Sequence, residues 1–196
     1  VVEGVEFRTT AVRPAGISGR RWAGNQCAFE VRLASGMGKA VHLGPEHVPP
    51  FTDITALARD GAHVYLMLSY NGYAREFPAG GNYVLALDLC RGQVTWKSAS
   101  GTANGGLLLL GDHLVTAYGF TAEPRFVFVF NARSGALLQK LPVVESVCPR
   151  PDVADACGKN CCDRPGQRVG RAASPHISEG RLIVETNMGY AAFPLE

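Results

Sequence analysis

Apolar and polar residues alternate along most of this chain with a period of two, in short runs bounded by turn residues. The clearest stretch is 83–96. Tyr83–Leu87 reads as a strand, Asp88 and Gly92 lie in a tight turn, and Gln93–Trp96 reads as a second strand. Upstream, Val5–Val12 and Cys27–Leu33 read as strands, and Lys39–Leu43 pairs back after a Ser35-Gly36 turn. Residues 44–53 read as a proline-rich loop. Ile54–Ala58 and His63–Tyr70 flank the Asp60-Gly61 turn, and 71–81 reads as a longer hairpin loop. Downstream strands are expected at Gly105–Leu110, His113–Tyr118, Arg125–Phe130 and Ala136–Leu141, with a loop over Gly119–Pro124 and a turn over Asn131–Gly135. The last three are Pro175–Ile177, Leu182–Thr186 and Tyr190–Phe193. Helical periodicity is scarce, so the chain is read as all-β.

The units repeat. Gly92 and Gly135 lie 43 residues apart, and so do Asp88 and Asn131, Arg91 and Ser134, and Trp96 and Gln139. A four-stranded unit recurring near this period is the mark of a propeller blade. The expected architecture is a partial β-propeller of about four four-stranded antiparallel blades, carrying a Cys-rich inserted loop. It divides into an N-terminal hairpin region (1–53), a blade (54–98), a second blade (105–142), the Cys-rich insertion (146–173) and an incomplete blade (174–196). Residues 1–12 are a candidate for the missing outer strand of the last blade.

The 83–96 hairpin resembles the quinoprotein-like (pyrroloquinoline-quinone-like) propeller repeat, whose third hairpin carries Ala-x-Asp-x-x-Thr-Gly-Lys-x-x-Trp. Ala86, Asp88, Gly92 and Trp96 match it, while Arg91 and Gln93 replace Thr and Lys. In the next copy Ser134 and Gly135 fit, Asn131 is a near match, and Gln139 replaces the Trp. The segment Gly180–Phe193 looks like a strand pair of the same family. The resemblance implies a blade-docking role for Ala86, Asp88, Gly92, Trp96, Asn131, Ser134 and Gly135. Asp88 would accept backbone hydrogen bonds across its turn, and Trp96 would pack flat on the adjacent blade. Loss of the Trp at Gln139 predicts looser docking there.

Composition narrows the partners. Charged residues make up 18% of the chain and the formal net charge is +2. No Lys/Arg cluster points to nucleic acid, and no apolar run is long enough to span a bilayer. Residue 1 is Val, so the chain is expected to be processed, trimmed or a fragment.

The repeat is interrupted at 146–173. Four of the six cysteines, Cys148, Cys157, Cys161 and Cys162, fall there. Such a segment lacks apolar periodicity, and disulfides would hold it together. Two disulfides within it are the preferred reading, which places the chain in an oxidising compartment, periplasmic or secreted. A zinc site comes second, because the spacing fits no common knuckle. Third, quinone-dependent dehydrogenases set a vicinal Cys-Cys pair against the quinone, and Cys161-Cys162 is similar locally. The calcium-binding and catalytic carboxylates of such a site have no counterpart that can be placed. Cys27 and Cys90 either pair with each other or are buried thiols.

No catalytic set rises above chance, and no metal ligand or cofactor is assigned. His63 and His113 hold equivalent places two residues after Gly61 and Gly111; Leu182 follows Gly180 in the same way. Tyr70, Tyr73, Phe77, Tyr118 and Phe120 cluster at or near loops and are candidates for a binding surface; the competing reading is that they cover apolar edges between blades. The chain is expected to be a non-catalytic, extracytoplasmic binding or scaffolding module, partnered by another protein or by the remaining blades of a larger assembly. The alternatives are a fragment of a quinone-dependent dehydrogenase using Cys161-Cys162, and a metal-binding module on the Cys segment.

Overall fold

The computed structural model describes residues 4–13, 26–49, 52–70, 81–120, 123–143, 175–186 and 189–194. Among them the chain forms strands and turns without a helix. The strands are β1 (Val5–Arg13), β2 (Gln26–Leu33), β3 (Val41–Leu43), β4 (Thr52–Asp60), β5 (His63–Tyr70), β6 (Tyr83–Asp88) and β7 (Gln93–Lys97). They continue with β8 (Leu107–Leu110), β9 (His113–Phe120), β10 (Glu123–Asn131), β11 (Leu137–Pro142), β12 (His176–Ser178), β13 (Arg181–Thr186) and β14 (Gly189–Pro194). Four antiparallel sheets follow one another along the chain: β1-β2-β3, β4-β5-β6-β7, β8-β9-β10-β11 and β12-β13-β14. This is a partial β-propeller. Its two middle blades are four-stranded, and its two end blades are three-stranded among the described residues.

Three apolar cores lie between the four sheets, and the strand period explains them. In β5, Val64, Leu66 and Leu68 face the first sheet, while Tyr65 and Met67 face the third. In β6, Tyr83, Leu85 and Leu87 go one way, and Val84 and Ala86 the other. Both faces are dry, so these strands read as continuous apolar runs rather than alternating ones. The third sheet does the same with Leu114, Tyr118 and Phe128 against Val115, Ala117 and Val127.

The connector from the second sheet to the third is buried and polar. Ser98, Thr102 and Asn104 are each at most 6% exposed. Burial of such groups requires hydrogen bonds. Ser98 Oγ bonds Thr102 Oγ1 and the Val84 amide, and Thr116 Oγ1 donates to the Thr102 carbonyl at 2.6 Å. The Asn104 side chain grips both the N–H and the C=O of Gly119.

Four expectations need correction. Gly119–Pro124 is not simply a loop: β9 runs on to Phe120 and β10 starts at Glu123, with a register shift before Phe126. Asn104 holds Gly119 in strand geometry, which propensity alone would not predict. β4 begins at Thr52, inside the expected proline-rich loop. β1 pairs with β2, not with the last blade; Val5 and Phe7 bury against the first core, so the nearby partner wins. Finally, the residue matching His63 and His113 is Arg181, not Leu182. The pairs Asp60↔His63, Leu110↔His113 and Ser178↔Arg181 close the three equivalent hairpins. The last turn has positive φ at both Glu179 and Gly180, so its glycine sits one place later than Gly61 and Gly111.

Candidate functional site

The turn after β6 is built by one carboxylate. Asp88 Oδ1 accepts the N–H groups of Cys90 (2.9 Å) and Arg91 (3.0 Å), and the Gly92 N–H bonds the Asp88 carbonyl. Asp88 is 6% exposed, which by itself would raise its pKa. The two N–H donors, together with the charges of Arg91 and His63, outweigh that, and the net shift is downward. The turn after β10 repeats the geometry with a neutral cap. Asn131 Oδ1 accepts from the N–H groups of Arg133 and Ser134 and from the Ser134 hydroxyl, and the Gly135 N–H bonds the Asn131 carbonyl.

Trp96 joins these two hairpins. It stands on β7 opposite Ala86. Its Nε1 donates to the Ala132 carbonyl at 2.9 Å, and its ring lies between Tyr65 and Phe130, with centroids at 6.2 and 6.0 Å. Gly135 makes room: at φ +72° a Cβ there would come within 2.6 Å of the indole. Exposed Arg133 adds an ion pair to Asp60 of the second sheet.

The junction between the first and second sheets uses the same carbonyl differently. Leu89 stands where Ala132 stands in the next copy, and its carbonyl accepts the backbone N–H of Lys39. A Cβ on Gly92, at φ +75°, would lie 2.8 Å from Lys39 Cβ. The Tyr83 hydroxyl, its pKa raised by burial, donates to the His47 carbonyl at 2.6 Å, and Lys97 Nζ sits 4.0 Å above the Tyr83 ring.

At the junction between the third and fourth sheets, Gln139 holds the place of Trp96. It pairs with Val129 as Trp96 pairs with Ala86, and both hairpins slip register one step further on. Here a cleft of about 640 Å³ remains, walled by Val115, Val129, Leu141, Leu182 and Phe193, with Leu138, Gln139 and Ile177 also lining it. A second cleft, of about 410 Å³, lies between the first sheet and β4, lined by Phe7, Phe29, Thr52, Ile54, Ala56 and Leu57 among others.

Both clefts lie beside incomplete sheets. The backbone bonds Ala34→Gly4, Leu89→Ala62 and Ala132→Asp112 are equivalent, so β1, β5 and β9 hold the same second position in their blades. The first sheet therefore has no strand in the first position, occupied by β4 and β8 elsewhere, among the described residues. The fourth sheet likewise has no strand in the fourth position, occupied by β7 and β11 elsewhere. The incomplete last blade was legible in the sequence; the open first position of the first sheet was not, because the apolar pattern marks strands that exist and not neighbours that are absent.

The other expected residues separate. Tyr118 is not an exposed loop aromatic: it is 5% exposed, in the core between the second and third sheets. For this residue the covering of apolar surface between blades is what the packing produces. Tyr70 and Phe120 end β5 and β9, and their side chains lie outside the described residues, as do Tyr73 and Phe77. So do Cys148, Cys157, Cys161, Cys162 and the Cys27 side chain. Among the described residues Cys90 is a free thiol, exposed at the turn after β6, so the expectation of a buried thiol at this position does not hold. Its place is set by the turn that Asp88 caps. Among the described residues, no group of three His, Cys, Asp or Glu side chains has metal-binding geometry, and no helix is long and apolar enough to cross a membrane.

No family model matches the chain, and no curated protein matches its sequence. Among solved structures, it is similar to a europium-containing methanol dehydrogenase at 14% identity and a TM-score of 0.40, over 70% of this chain and 27% of that one. It is also similar to BamB from Moraxella catarrhalis at 14% identity and a TM-score of 0.42, over 87% of this chain and 46% of that one. The chain therefore spans about a quarter of the first protein and about half of the second.

Proposed function

We propose that this chain is a non-catalytic binding or scaffolding module, working outside the cytoplasm within a larger protein assembly. One observation carries the reading: clefts with apolar walls flank the centre on both sides, one between the first sheet and β4 and one between the third and fourth sheets. Apolar grooves of this kind are sites of association. The Trp96 junction closes the centre, and the clefts on either side of it are left to take partners. The cysteine-dense segment 146–173 supports an oxidising compartment.

The test has two arms. The chain is incubated with calcium and pyrroloquinoline quinone and assayed for dye reduction with alcohols and sugars; no turnover is expected. Quinone-dependent turnover would overturn the reading in favour of a dehydrogenase fragment using Cys161-Cys162. Intact mass is then measured after alkylation with and without prior reduction. Blocking of the four cysteines of 146–173 only after reduction is expected. Full alkylation without reduction would remove the support for an extracytoplasmic site.

A further inference from the structure

We propose that Asn104-Gly105 is a latent deamidation site. It is sealed while the second and third sheets are docked, and it is converted to aspartate or isoaspartate when they part. The conversion marks a chain that has opened and stops it from closing in its original form.

The dipeptide itself is reactive. A glycine after asparagine has no side chain to hinder attack of its own nitrogen on the asparagine Cγ. The new N–C bond closes a cyclic imide, and the side-chain amide nitrogen leaves as ammonia, carrying the proton of the Gly105 N–H. Water then opens the imide at either carbonyl. One water is consumed, one ammonia is released, and nothing is oxidised or reduced. Opening at one carbonyl gives aspartate with the main chain intact; opening at the other gives isoaspartate, whose main chain runs through the side-chain carbon. Asn82 and Asn131 are followed by Tyr83 and Ala132, so among the described asparagines only Asn104 has a glycine after it.

In the folded chain the groups that must move are held. Asn104 lies in the connector from β7 to β8 and is 3% exposed. Its Nδ2 donates to the Gly119 carbonyl at 3.0 Å, and its Oδ1 accepts the Gly119 N–H at 3.1 Å. The backbone N–H groups of Asn104 and Gly105 both donate to the Ala117 carbonyl at 2.9 Å. Ring closure needs the side chain to leave Gly119 and the Gly105 nitrogen to leave Ala117. Both partners stand on β9, so the connector must lift off the third sheet. Ala103, the preceding residue, is fully buried in the core between the second and third sheets, and the Thr102 carbonyl accepts from Thr116 beside it. The lift therefore opens that core, and the rate of conversion in the folded chain follows the population of the open state. Once converted, the lock does not re-form. Aspartate sets an oxygen where Nδ2 donated, against the buried Gly119 carbonyl, and holds its charge out of water. Isoaspartate displaces the two N–H groups that met Ala117. Opening followed by this chemistry is a one-way step.

The experiment uses the whole chain in mildly alkaline buffer, folded in one arm and unfolded by guanidinium in the other. Samples are digested with trypsin and followed by mass spectrometry, which reads the gain in mass when an amide becomes an acid. Asn104 falls in the peptide 98–125. The chain's other Asn-Gly pair, Asn71-Gly72, lies outside the described residues and falls in the peptide 60–75. In the unfolded arm the two peptides are expected to convert at similar rates. In the folded arm Asn104 should convert at least about a hundredfold more slowly than in the unfolded arm. Equal rates at Asn104 in the two arms overturn the proposal. Gly135→Ala, which crowds Trp96 at the same junction, should speed conversion in the folded arm about tenfold, while Gln139→Ala leaves it unchanged. Equal rates in these two variants overturn the link to parting of the sheets. Asn104→Asp, one of the two products, should lower Tm by about 10 °C or leave no cooperative transition. An unchanged Tm shows that the product closes as the parent does, and overturns the one-way step.

Discussion

The second and third sheets meet through an indole; the third and fourth meet around a cleft. The hairpins on the two sides share a backbone. Each slips register one step beyond the docking position, and each preceding turn is capped by an Asx side chain. Trp96 bridges its junction with one hydrogen bond to Ala132 and ring contacts to Tyr65 and Phe130. Gln139, at the matching place, lines an opening of about 640 Å³, with Leu138 and Ile177 at 48% and 44% exposure beside it. The receiving side differs as well. Pro194 pairs with Arg181 as Asn131 pairs with His113, and a proline has no side-chain oxygen to cap a turn. A shared strand pattern therefore does not guarantee a shared interface. One side chain and the turn that receives it decide whether two blades close.

The comparison breaks most sharply at Trp96. Trp96→Ala should cost about 3 kcal/mol, from lost apolar contact and an unpaired Ala132 carbonyl. Gln139→Ala should stay within about 0.5 kcal/mol. Urea unfolding of both variants reads the difference, and equal losses would remove the contrast between the junctions. Gly135→Ala comes next, at about 2 kcal/mol, because the new Cβ meets both a positive φ and the indole. Gly61→Ala, with open space around it, should cost only the backbone strain, about 1 kcal/mol. Filling the open junction by Gln139→Trp should stabilise the chain by about 1 kcal/mol, seen as a raised Tm; a lowered Tm would show that the cleft does not admit an indole.

The smallest effect is in acid. Asp88 and Asn131 cap equivalent turns, but only Asp88 titrates. Its folded pKa lies below its ordinary value of 3.8, so its stabilisation is whole above that pH and is lost as pH falls through the folded value. Asp88→Asn should flatten that part of the acid limb and lower neutral-pH stability by the small amount that the charged carboxylate contributes there. An unaltered acid limb in the variant would remove the contribution assigned to Asp88.

The blades were legible because period-two patterning, turn residues and the 43-residue offset all speak locally. The Asp88 turn and the Trp96 position were readable for the same reason. The clefts were not. Thr52 reads as the end of a loop, and Phe7 and Phe29 read as ordinary strand residues; only their approach across two sheets makes a cleft. Tyr118 was misplaced because its nearness to a loop in sequence says nothing of the core that covers it.

Alone, the sequence determined that this is an all-β chain of repeated hairpins with a docking tryptophan, because strand formation, turn chemistry and positive φ depend on neighbours a few residues away. The tertiary structure decided which strands lie at the edges, that β1 pairs within the first sheet, and that one junction closes while another stays open. Those outcomes depend on which surfaces remain once every strand has found its partner, and that is a property of the assembled sheets.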